Sequence, residues 1–174
     1  IWVKNLGLNF MPFTNEFITG TVGLRLNIME KRSGHSELTA YFDLKDADMN
    51  LPRFNWRKSQ KVQANATLFA TFENNRFTSI PSILVKGGGL DLKGNLSFKN
   101  DGSIKKVSIN HLVFGGTNIR AIMAPKPINL KGGWDIDISG KSIDLIEWLA
   151  TDEEQNTTER LGMYTLSLNI DKAE

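Results

Sequence analysis

Gly87–Gly116 reads GGGLDLKGNLSFKNDGSIKKVSINHLVFGG, and its alternation decides the fold. Leu90, Leu92, Leu96 and Phe98 share one parity, with Gly94 between them, and Asp91, Lys93, Asn95 and Ser97 share the other. A period of two belongs to a strand with one buried and one wet face. Asn100-Asp101-Gly102 follows, and these residue types tolerate the positive φ of tight hairpin turns. The second arm carries Ile104, Val107 and Ile109, then Leu112 and Phe114, so the apolar parity slips between Ile109 and Leu112. Such a slip predicts a bulge near His111. The stretch is a long antiparallel hairpin with one apolar face.

The same alternation spreads outward in both directions. Towards the N-terminus, residues 5–13 form a short apolar strand ended by Pro12. Residues 18–30 set Val22, Leu24, Leu26 and Ile28 against Thr21, Gly23, Arg25 and Asn27. Residues 36–44 set Leu38, Ala40, Phe42 and Leu44 against Glu37, Thr39, Tyr41 and Asp43, and the strand is expected to continue to Leu51. Residues 53–61 read as a basic loop. Strand 62–72 puts Val62, Ala64, Ala66, Leu68, Ala70 and Phe72 on one face. Pro81 makes strand 76–86 short or an edge strand, because proline has no N–H for the ladder. Beyond the hairpin, strands are expected at 117–124, 128–139 and 163–170. Residues 141–152 alone show helical spacing, with Ile143, Ile146, Leu149 and Ala150 on one side and Ser142 as the cap. Residues 152–160 are a polar linker to the last strand.

The fold class is therefore mainly β. It is an antiparallel meander of about ten strands forming a curled sheet, a groove or a partly open barrel, with one short helix. The 174 residues suffice for a single domain, 1–174, with a sizeable core. A weak internal repeat supports the same reading, since GTVGLRLN with SELTAYFDL resembles GLDLKGNLSF with VSINHLVF.

Forty per cent hydrophobic and 23% charged residues are an ordinary globular composition. A net charge of +2 carries no nucleic-acid footprint. The absence of cysteine excludes disulfides and thiolate metal sites. No run of about 18 apolar residues is present to cross a bilayer as a helix. The chain opens on Ile1, and the expectation is a piece of a longer protein.

Catalytic patterns fail one by one. His35 lies in a Gly-Ser turn and His111 at the expected bulge, where each reads as surface decoration. Ser139-Gly140-Lys141-Ser142 has the context of a phosphate loop, but Asp135 stands where the first glycine belongs. It reads instead as a strand end and helix cap. Asp46, Asp48 and Asn50 begin like a calcium loop, yet Leu51 and Arg57 occupy its glycine and glutamate positions. Asp135 and Asp137 alternate with Trp134 and Ile136, as a solvated strand face does. Arg53, Arg57, Lys58 and Lys61 surround Phe54 and Trp56. That pattern suits either contact with nucleic acid or lipid headgroups or a cover whose aromatics plug the end of the sheet. The reading is of a non-enzyme with no metal and no cofactor.

Family resemblance enters through the order of these features. FDLKDADMNLPRFNWRKSQK pairs an acidic strand end with a proline, a tryptophan and lysines. GGGLDLKGNLSF, VSINHLVFGGTNIRA and GGWDIDISGKSIDLIEWL follow. Over roughly residues 18–150 the chain resembles the AsmA-like superfamily of Gram-negative envelope proteins, in the branch related to YhdP and TamB. The resemblance implies a large protein anchored in the inner membrane by a helix outside this sequence and running through the periplasm. Such proteins stack β repeats into an apolar groove thought to carry phospholipid to the outer membrane. It implies no catalysis and no fixed set of site residues.

Physical chemistry is compatible with that implication. Acyl chains need continuous apolar surface, at about 0.8 kcal/mol per buried methylene. Candidate lining residues are Leu24, Leu26, Leu38, Phe42, Leu68, Phe72, Leu92, Leu96, Phe98, Ile136, Ile138, Leu166 and Leu168. The expected partners are phospholipid acyl chains and neighbouring β repeats of the same full-length chain, with no nucleic acid. The alternative is a closed-core structural or interaction module that scaffolds envelope assembly. The two differ in whether an exposed apolar patch above about 400 Å² exists.

Overall fold

The computed structural model describes residues 18–31, 34–51, 56–73, 76–126, 133–144 and 164–173. Twelve strands run through them: β1 (Ile18–Gly20), β2 (Gly23–Glu30), β3 (His35–Asp43), β4 (Ala47–Leu51), β5 (Trp56–Lys58) and β6 (Ala64–Glu73), then β7 (Arg76–Gly87), β8 (Leu90–Phe98), β9 (Ile104–Phe114), β10 (Thr117–Pro125), β11 (Trp134–Ile143) and β12 (Tyr164–Ala173). Nine form one sheet in the order β12-β11-β10-β9-β8-β7-β6-β3-β2, and β1-β4-β5 form a second, small one. The large sheet does not close into a barrel, because its end strands β2 and β12 are not paired to each other.

The opening hairpin forms as its alternation requires. β8 and β9 pair antiparallel, and the register shifts between Lys93 and Gly94, opposite His111 and Ile109. The bulge expected near His111 is therefore present. At the hairpin tip Gly102 takes φ +83°. Asp101 Oδ1 accepts hydrogen bonds from the Ser103 amide at 2.8 Å and the Ser103 hydroxyl at 2.6 Å, which fixes the turn.

Five expectations are corrected. Ser142 does not cap a helix, because β11 runs through Gly140-Lys141-Ser142 to Ile143; residues 145–152 of the expected helix lie outside the described residues. The large sheet is not a pure meander, because β11 and β12 pair parallel. Parallel neighbours need a crossover of about a dozen residues or more, and the chain between Ile143 and Tyr164 supplies that length. Strand 36–44 does not continue to Leu51. Asp43 Oδ1 accepts the Lys45 amide at 3.0 Å in a tight turn, and Ala47–Leu51 departs into the small sheet. The basic stretch 53–61 is not all loop, since Trp56–Lys58 is a strand of that sheet.

Pro81 does not shorten its strand either. β7 is 12 residues long and central in the sheet. Its registers shift between Ser79 and Ser82 against β6 and between Ile80 and Ile83 against β8, so proline sits where the ladder is already interrupted. The expected strand at 5–13, residues 128–132 of the strand at 128–139, and the linker at 152–160 lie outside the described residues.

The buried centre lies where the two sheets meet. Trp56 packs with Leu112, Phe114, Ile119, Ala121, Ile138 and Ile143, and Met49 and Leu51 of β4 lean on the same cluster. Trp56 Nε1 donates to the Gly88 carbonyl at 3.0 Å, which ties β5 to the β7–β8 turn.

Candidate functional site

In an antiparallel ladder, directly opposed residues share a face. Following the registers across the large sheet therefore tests whether the apolar parities of separate strands meet. Leu24 faces Phe42, Phe42 faces Ala66, Ala66 faces Val85, and Val85 faces Leu92. The row continues through Leu112, Ile119 and Gly140 to Ile170 on β12. A second row runs Leu26, Ala40, Leu68, Ile83, Gly94, Ile109, Ala121, Ile138 and Leu168. A third row runs Ile28, Leu38 and Ala70, is interrupted at the β6–β7 register shift, and resumes on the same face as Ile80, Leu96, Val107, Met123, Ile136 and Leu166.

All thirteen candidate lining residues consequently lie on one face. Phe72 and Phe98 fall at its far end, where Phe72 stacks on Phe77 with ring centroids 4.2 Å apart and Phe77 approaches Phe98 at 6.0 Å. Trp134 and Tyr164 stand opposite each other on β11 and β12 at the same end. The bulges keep this face continuous, because each absorbs the odd residue that would otherwise invert the parity of the rest of the strand.

Exposure varies along the face in an orderly way. Ile138 is buried, while Leu38, Phe42, Leu68, Phe72, Leu92, Leu96, Phe98 and Ile136 are half-buried. On the end strands the same face is open: Ile28 is 69% exposed on β2 and Leu168 52% on β12. Met49, Leu51 and Trp56 cover the end nearest Leu112 and Ile119. Covering by Trp56 is the plug that the aromatic-rich basic stretch suggested; Arg53 and Phe54 of that stretch lie outside the described residues.

The opposite face is polar. Arg25, Tyr41, Thr67, Leu84, Lys93 and His111 form one of its rows. A hydroxyl cluster occupies it further along, with Thr71 Oγ1 2.8 Å from Thr78 Oγ1 and 2.7 Å from Ser79 Oγ.

The charged motifs that resembled catalytic patterns serve other ends. Asp48 pairs with Arg57 across β4 and β5 at 3.0 Å, which takes it out of any cation loop. Among the described residues no group of His, Cys, Asp and Glu is arranged to hold a metal ion. Asp135 and Asp137 point to the polar face and are exposed, with Lys126 Nζ 3.5 Å from Asp135. His35 lies 3.6 Å from Glu37 and 3.9 Å from Glu73. Glu37 is held below the usual carboxylate range, first by its hydrogen bond from Lys31.

Sequence reasoning missed the apolar contributions of β7 and β10. Ile83 and Val85 fall out of parity with Ile80 because of the break at Pro81. In β7 the register break interrupts the signal, whereas in β10 Ile119, Ala121 and Met123 alternate unbroken and the apolar Ile122 between them blurs the period. Among the described residues no helix is long and apolar enough to cross a membrane. Comparison with protein-family models, with curated proteins and with solved structures returned no match to this chain.

Proposed function

We propose that the chain is a segment of a periplasmic AsmA-like protein whose apolar sheet face holds phospholipid acyl chains. In this reading it serves phospholipid transport between inner and outer membrane, and hence envelope integrity. The observation that carries the reading is the continuity of apolar side chains across nine strands, with the face still exposed at both end strands. A hydrocarbon tail asks for that and for no particular polar partner. An acyl chain of about sixteen carbons on such a surface gains several kcal/mol at about 0.8 kcal/mol per methylene. Among the described residues β2 and β12 end the large sheet, which supports pairing with neighbouring β repeats of the full-length chain. Membrane anchoring belongs to parts outside this sequence.

A second reading, a non-catalytic scaffold module, draws on the Trp56 cluster, which makes one end of the face an ordinary closed core. Native mass spectrometry of the purified protein, followed by organic extraction, separates the two. The transport reading expects phospholipid near one per chain, lost in Leu96→Asp and Phe72→Asp but kept in Leu84→Asp, which places the same charge on the polar face. Circular dichroism confirms that each variant is folded. Protein free of lipid after incubation with vesicles would favour the scaffold.

A further inference from the structure

Two motifs set aside in the sequence, His111 and Ser139-Gly140-Lys141-Ser142, are brought together on the polar face. Between Ile109 and Leu112 of β9 lie two residues, Asn110 and His111, against the single Arg120 of β10. On the other side of β10 the register jumps from Asn118–Ser142 to Ile119–Gly140, which leaves Lys141 as an extra residue on β11. Each bulge turns one additional side chain towards the polar face. Gly140 permits the close approach, since a Cβ there would come within 2.3 Å of the Asn118 carbonyl oxygen.

The result is an open depression of about 620 Å³ with Asn110, His111, Asn118, Arg120, Ser139 and Lys141 among its walls. Asn169 and Asp171 of β12 complete its polar lining. Arg120 and Lys141 bring two basic side chains against one acidic one, Asp171. Among the described residues neither cation makes an ion pair or a side-chain hydrogen bond. Amide, hydroxyl and imidazole groups from four strands, β9 to β12, surround them.

We propose that this double-bulge depression is a binding site for a phosphate-class oxyanion. A guanidinium fork engages two oxygens at once, and an ammonium adds a point charge. Donors approaching from several strands suit a tetrahedral group better than a planar carboxylate. The site is on the face opposite the apolar rows and does not depend on them.

Titration of the whole chain with inorganic phosphate at constant ionic strength, read by the His111 ring signals in NMR and by calorimetry, tests it. Short-chain phosphatidate below its micelle concentration is the second probe, and it distinguishes a lipid headgroup from free phosphate. Saturable binding of either probe is expected, weakened about tenfold or more in Arg120→Gln and in Lys141→Gln. Arg25→Gln, on the same face but at the far edge, should leave it unchanged. Binding of neither probe, an equal response to chloride, or binding that survives both depression variants overturns the proposal.

Discussion

Lys58 holds its ammonium where apolar side chains usually sit, at 1% exposure. It is tolerated because its three N–H donors meet three carbonyls, those of Ala47 at 2.7 Å, Ser59 at 3.2 Å and Lys45 at 3.3 Å. Lys58→Met removes these bonds and is expected to cost about 1–3 kcal/mol, seen as a lower urea midpoint at unchanged slope. Two glycines give a contrasting pair. A Cβ added at Gly140 would meet backbone atoms at 2.3 and 2.7 Å, which cannot yield as a side chain does, so Gly140→Ala should destabilise by about 1–3 kcal/mol. Gly102 has nothing within 4 Å of its absent Cβ, so Gly102→Ala meets only the φ penalty of about 1 kcal/mol. Urea unfolding of both variants checks the order. At the same hairpin tip, the Ser103 hydroxyl and then the Ser103 amide hold the Asp101 carboxyl below its ordinary range. A depressed carboxylate contributes stability above its unfolded pKa and loses it as pH falls through the folded value. Ser103→Ala should therefore raise the Asp101 midpoint in an NMR titration, and the native β8–β9 turn should loosen as pH falls through that midpoint, whereas the variant already lacks the hydroxyl's contribution at neutral pH.

At the scale of elements, β2 shows what happens to an alternating strand at the sheet's edge. All eight of its residues are exposed, although Leu24, Leu26 and Ile28 keep the apolar parity. An apolar edge with unpaired backbone groups is a template for another strand. Ile28→Lys is expected to reduce concentration-dependent association in sedimentation velocity while changing stability by less than about 0.5 kcal/mol. β7 teaches the converse. Its proline argued for an edge, yet the strand is central, because the missing N–H coincides with a register break on both sides. A proline read alone does not reveal whether the partner strands also skip there. The bulge near His111 was legible for the opposite reason: the residues inside one strand, Ile109 and Leu112, betray it by their own parity. Its counterpart at Lys141 was hidden by helix-like spacing beyond Ile143, a competing period that overlapped the end of the strand.

For the whole molecule, the small sheet is the part with the greatest leverage. Through Trp56 it contributes the largest side chain of the buried cluster and a hydrogen bond to the β7–β8 turn. Trp56→Ala is expected to cost about 3–5 kcal/mol and to lower the temperature of thermal unfolding accordingly. The β class, the hairpin, the turn at Asp101-Gly102 and the parity of thirteen candidate residues that end on one face are all legible in the residues alone. These are local properties, set by side-chain period and by the φ that each turn requires. Long-range pairing is what sends Ala47–Leu51 and Trp56–Lys58 to cap one end, returns β12 parallel, and brings two bulges together around Arg120. Those outcomes rest on which distant backbones find each other's free N–H and C=O groups, and the side-chain period inside a single strand does not encode that choice.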